Sequence, residues 1–242
     1  AALDRRTVEG LIRAGREREA LDRALTLRGK YGPGSAWARS QPAPLREKTA
    51  VEMAGVLKAL SERNFDEGVR SGERSAMSSS AAAMGEYFAW KGGREAGDDE
   101  ELRLKWGIAL LRSGDRESGI RILRELAAKR SGDATGERAA LLYAEAMVAG
   151  YERKEEVPGD AEGATLLLLK EHPSEKAVSI ALRASSAFLG NGEYERARRA
   201  AEGIEGNRFA TGDQVSQARL IQAEAAVFGG DPEAARGKAA AV

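Results

Sequence analysis

The chain has no cysteine, one histidine, three asparagines and few aromatic residues. Without cysteine there are no disulfides, no thiolate metal sites and no thiol nucleophile. One histidine leaves any zinc site to be built from carboxylates, for which no clustered spacing exists. No metal, cofactor or catalytic residue is therefore expected. The longest apolar run, Ala164 to Leu169, falls far short of the roughly 20 residues that a spanning helix needs. A water-soluble chain with no transmembrane segment is expected, and cytoplasm and periplasm both remain open to it. Charge of one sign is lacking too. Lys plus Arg and Asp plus Glu each total 38, so no net field draws in a phosphate backbone, and nucleic acid is not an expected partner. The first thirty residues lean basic, but their acids are interleaved, as on a solvated helix face.

The residues that could suggest chemistry have plainer readings. His172 precedes Pro173 at an expected helix end, where a histidine favours the helix dipole. Glu155-Glu156 and Asp98-Asp99-Glu100 sit in expected turns beside basic residues and read as solvated loop and helix-start charge. Ser78-Ser79-Ser80 lacks a nucleophile elbow and reads as a small-residue junction. Gly32-Pro33-Gly34-Ser35 and Gly92-Gly93 lack the strand and the Lys-Ser/Thr ending of a phosphate loop, so they read as turns. Trp37, Trp90 and Trp106 are scattered singly and read as core or junction residues.

What is present is a recurring unit. Leu110 to Ile120, Phe188 to Arg198 and Val227 to Arg236 each run from an apolar helix end through a glycine and an acidic residue into a new helix. Gly114 and Gly192 are 78 residues apart and Gly230 follows after 38, which is two units of 39 and one of 38. Each glycine is placed to close a helix in the left-handed conformation, and Asp115 or Glu193 to favour the start of the next. Pro232 suits a first turn. Gly119, Ala197 and Ala235 are small enough to let the second helix approach the first. No stretch alternates with period two for long enough to be a strand.

This pattern resembles the tetratricopeptide repeat. Trp106-Gly107 with Leu110 occupies the first-helix signature places, and Gly119, Leu123 and Leu126 those of the second. Leu11, Gly15, Ala20, Ala24 and Leu27, with Pro33 following, form another copy. Phe188, Tyr194, Ala197, Ala201 and Ile204 form a third, and Ala223, Gly230, Ala235 and Ala239 a fourth. Weaker copies run from Leu45 to Val69, with one helix to Glu62 and a second from about Asn64, and from Glu137 to His172. Units of 38 or 39 exceed the family's 34, and the segment from Ser78 to Asp99 fits no copy. Met77, Ala81, Met84 and Phe88 make that segment an extra helix, closing at Gly92-Gly93. HEAT-like or other irregular helix pairs remain the alternative repeat type.

The resemblance implies an all-α, right-handed superhelix of about six hairpins in one domain over 1–242. Their approximate ranges are 1–33, 44–78, 100–131, 137–173, 177–209 and 215–242, with the extra helix over 79–92. It also implies a concave face, built from the first helix of each pair, that holds a protein or peptide. The matching residues are Leu104, Ile108, Leu111 and Arg112, then Leu182, Ser186 and Leu189, then Leu220, Glu224 and Val227. Some of the apolar ones also suit packing between hairpins. The family's carboxylate-reading clamp is not expected, because Asn64, Asn191 and Asn207 all sit in or beside turns.

The implied function is a non-enzymatic scaffold in a bacterial multiprotein assembly. The alternative is the superhelical accessory region of a larger enzyme such as a lytic transglycosylase. Val242 falls within the second helix of the last hairpin, so the chain is expected to be an excerpt of something longer, or to self-associate through that uncapped hairpin.

Overall fold

Helix-favouring composition and well-placed caps produce twelve helices and no strand among the described residues of the computed structural model, which are 2–91, 99–130, 132–231, 233 and 237. Helix α1 covers Ala2–Arg13, α2 Glu17–Tyr31, α3 Ala36–Ser40, α4 Ala43–Ser71, α5 Arg74–Lys91 and α6 Glu100–Ser113. Helix α7 covers Arg116–Lys129, α8 Ala134–Glu152, α9 Pro158–Glu171, α10 Glu175–Gly190, α11 Tyr194–Glu205 and α12 Gly212–Phe228. The expected all-α architecture of consecutively packed helices is what the chain adopts.

The ends of these helices follow from local chemistry. Asp133, Ser174 and Thr211 accept from the backbone N–H three residues on, at the starts of α8, α10 and α12. At α12 the Gln214 side chain returns the bond, completing a capping box. Gly114 closes α6 at φ 94°, and Gly192 and Gly230 also lie at positive φ, the conformation their spacing predicts. Asp115 Oδ1 then accepts from the Ser118 N–H at 3.2 Å in the first turn of α7.

Two compact units divide the chain, 1–122 and 123–242. In the first, α1 packs on α2 and α4, and α4 packs along α5, which in turn packs on α6. Val8, Leu27, Leu57, Leu60, Met84 and Tyr87 are buried together in its core. Here the sequence-based expectation for 44–78 needs correcting. No break occurs near Asn64: α4 runs unbroken for 29 residues, and its partner is α5, which absorbs both the expected extra helix and the serine run. Asn64 and Phe65 are buried, so that packing carries the helix past residues of modest helix propensity. Gly68 allows the close crossing, since a Cβ there would come within 2.9 Å of Met77. Ser80 is not in a junction but buried in the interface, its Oγ donating to the Ser61 carbonyl at 2.8 Å.

In the second unit α8, α10 and α12 form one row, with α10 against both neighbours, while α9 packs on α11 in the other. The core is built largely from alanine, including Ala144, Ala164, Ala181, Ala184, Ala200 and Ala218 around Phe188 and Leu168. The turn expected at Gly92-Gly93 and the small residues Ala235 and Ala239 of the last hairpin lie outside the described residues, as does Pro232.

Asp99 departs most from the sequence reading, because it is 4% exposed rather than solvated. It stands just before α6 and accepts from Lys58 of α4 at 3.2 Å and from Tyr87 and Lys91 of α5. Burial pushes its carboxyl upward, but the hydrogen bonds from Lys91, Tyr87 and Lys58 outweigh that and hold it below the usual range. The same contacts raise the ammonium groups of Lys58 and Lys91. A second carboxylate, Asp4 of α1, is drawn down to about 2, first by the Tyr31 hydroxyl at 2.7 Å and then by Lys30 and Arg23.

The Asp99 cluster makes stability depend on pH at both ends. The carboxylate's contribution is present above the ordinary carboxylate range and is lost as pH falls through its depressed folded value. The lysines' contribution is complete below the ordinary lysine range and is lost as pH rises through their raised values. Asp99→Asn is expected to cost roughly 2 kcal/mol at neutral pH, since it leaves two cations and a tyrosine without a charged acceptor. Thermal melts followed by circular dichroism across pH should show the variant losing part of both the acid and the alkaline decline. An unchanged profile would show that the cluster does not support the fold.

Candidate partner-binding face

Helical spacing sets which residues of each first helix face water. In the second unit, the bare stripe of α8 runs through Arg138, Glu145 and Glu152, and that of α10 through Ser179, Arg183 and Ser186. On α12 it runs through Gln217, Leu220 and Val227, with Leu220 52% and Val227 57% exposed and Glu224 half-buried between them. Arg183 and Glu152 bring the stripes of α8 and α10 together, and α12 packs on α10 in turn. Arg183 and Glu152 tie α10 to α8 with a two-pronged ion pair whose Nε branch is 2.7 Å long. That pair holds the carboxyl of Glu152 below its ordinary range.

The expected binding residues divide by environment. Ser186, Leu220, Glu224 and Val227 lie on this stripe, while Leu182 and Leu189 flank it, half-buried. In the first unit Leu104 is fully buried, Ile108 is packed against the core, and Leu111 is half-buried against Gly119. Arg112 is exposed at the last turn of α6. Leu104 is thus a core residue, wholly buried instead of lying on an open face. The face in the second unit is also more polar than a uniformly greasy groove, with ionic residues on α8 and α10 and exposed apolar residues concentrated on α12.

Sequence reasoning missed Glu145, Arg183 and Glu152, which are exposed and charged, the last two paired with each other. The signal was available, since Arg183 and Ser186 share a face at a helical spacing of three. The opposite row carries its own ionic group. Glu162 of α9, nearly buried, accepts from Arg199 at 2.6 Å and pairs with Arg196 at 3.3 Å, both on α11. His172 is the buried residue closing α9, its backbone N–H donating to the Leu168 carbonyl at 3.0 Å. No helix of the described residues is long and apolar enough to cross a membrane.

Truncating a core residue and charging a surface one should separate the two environments. Leu104→Ala is expected to lower stability by about 3 kcal/mol through lost burial and a residual cavity. Leu220→Lys should stay within about 0.5 kcal/mol of the parent. Denaturant unfolding of both variants measures this directly, and a costly Leu220→Lys would mean that α12 is not bare on that side.

No protein-family model and no curated protein matches the sequence. Among solved structures, the crystal structure of BtubC (BKLC) from P. vanneervenii aligns with 97% of this chain and 89% of its own. It shares 13% sequence identity at a TM-score of 0.41, a likeness that carries no argument about either fold or function.

Proposed function

We propose that this chain is a non-enzymatic, protein-binding scaffold of the tetratricopeptide kind, acting within a bacterial multiprotein assembly. The observation that supports this reading is the row formed by α8, α10 and α12, in which each helix keeps a solvent-facing stripe and an ion pair joins those of α8 and α10. Such a surface reads a partner along its length. Its chemistry sets what fits. The α12 end offers Leu220 and Val227 to apolar side chains, while Arg183 and Glu145 present charge of both signs further along. An amphipathic helix or peptide with apolar residues at one end and mixed charge at the other complements it.

Photo-crosslinking in the source bacterium tests the reading. A crosslinking residue placed at Ser186 should capture a discrete protein partner, whereas the same residue at Lys170, exposed on α9 in the other row, should not. Adding Leu220→Lys and Val227→Lys should lower the yield at Ser186 by about tenfold, equivalent to about 1.4 kcal/mol. Equal capture from both positions, or none from either, overturns the proposal.

A further inference from the structure

The first unit holds a groove that the scaffold reading does not use. Ala43, Glu47, Ala50, Ala54 and Lys58 recur along α4 at steps of three and four, so they line one face about 22 Å long. Tyr31 and Ala38 wall it from α2 and α3, and Tyr87, Trp90 and Lys91 from α5, enclosing a cavity of about 760 Å³. That volume lies within the range of sites that hold small organic molecules.

Three properties define the ligand. The floor is aliphatic and smooth, because the α4 residues between the charged ends are alanine, valine and glycine. One end is rich in donors. Lys58 and Lys91 each give one hydrogen bond to Asp99 and keep further N–H groups, since an ammonium carries three. The Trp90 ring lines the same end, 3% exposed. The third property is charge. At this end Lys58 and Lys91 meet Asp99 alone, leaving one net positive charge, while Arg46 and Glu47 cancel at the other. A monoanion matches that balance, whereas a phosphate dianion would meet Asp99 with an extra charge.

We propose that this groove binds a linear aliphatic monocarboxylate. Its carboxylate accepts from Lys58 and Lys91, and its chain lies along Ala54, Val51 and Ala50. The groove belongs to the first unit alone, so it stands or falls independently of the partner face on α8, α10 and α12.

Calorimetric titration of the whole chain with dodecanoate tests this, with 1-dodecanol as the neutral probe of equal length. Saturable one-to-one binding of dodecanoate is expected, with dodecanol weaker by about tenfold because it lacks the charge-assisted bonds. Gly55→Leu should abolish binding by filling the groove, and it should fold normally, because a Cβ at Gly55 meets no atom within 4 Å. Val51→Glu, on an exposed position at the rim, should weaken dodecanoate by a similar factor through repulsion. Melting temperatures near that of the parent would establish that both variants are folded. The proposal is overturned by the absence of saturable heat up to about 1 mM dodecanoate, a range that covers the weak end of small-ligand affinities. Dodecanol binding as tightly as dodecanoate, or full binding by a folded Gly55→Leu, would overturn it equally.

Discussion

Close approach between helices is the constraint on which the rest of this structure depends. Helix axes come within the short end of their packing range only where the residue at the crossing is small. In the second unit, alanine fills that role on every helix of both rows, and Ala181, Ala184, Ala197, Ala200 and Ala201 have no exposed surface. In the first, Gly68 under Met77 and Gly119 under Leu111 do the same work. A β-carbon at Gly119 would also stand 3.0 Å from the Gly107 carbonyl, so the fit there involves backbone as well as side chains.

Cores made of alanine bury little area per residue, and the larger side chains are correspondingly few and central. Phe188, packed against Tyr151 with ring centres 4.9 Å apart, links α8 to α10. Phe88 and Trp106 stack at 5.1 Å between α5 and α6. Ionic groups complete the helix contacts. Asp99 binds α4 and α5 to the start of α6, and Glu162 binds α9 to α11. In each case the carboxylate is the buried member, satisfied by partners whose long stems reach water. Such contacts specify which helix meets which, something a surface of alanines alone does poorly.

The two candidate surfaces differ in kind for the same reason. Where first helices stack in a row, each keeps an outward stripe exposed, and on the proposed reading a chain-like partner lies along them. Where α4 outruns the shorter elements around it, its uncovered length forms a groove with walls, suited to a small molecule. The irregularity of the first unit, with the five-residue α3 and the 29-residue α4, is what creates the enclosure.

The helices of the recurring units are legible in the residues alone, because glycine closure, capping residues and the 3.6-residue apolar rhythm are local. Gly114, Gly192 and Gly230 turn where their spacing placed them, and Gly119 and Ala197 lie at close contacts. Tertiary structure alone decided the course of 43–91, where packing against a neighbour overrode the weak propensities of Asn64, Gly68 and the serines and fused two expected elements into one. It also decided which apolar residues of a stripe are free. Leu104 and Val227 carry the same signal in sequence, yet one has its neighbour helix over it and the other is 57% exposed. The Asp99 cluster was illegible for a related reason. Its partners come from two helices, α4 and α5, across 41 residues of chain, and only their convergence turns an acidic residue in a turn into a buried, charged junction.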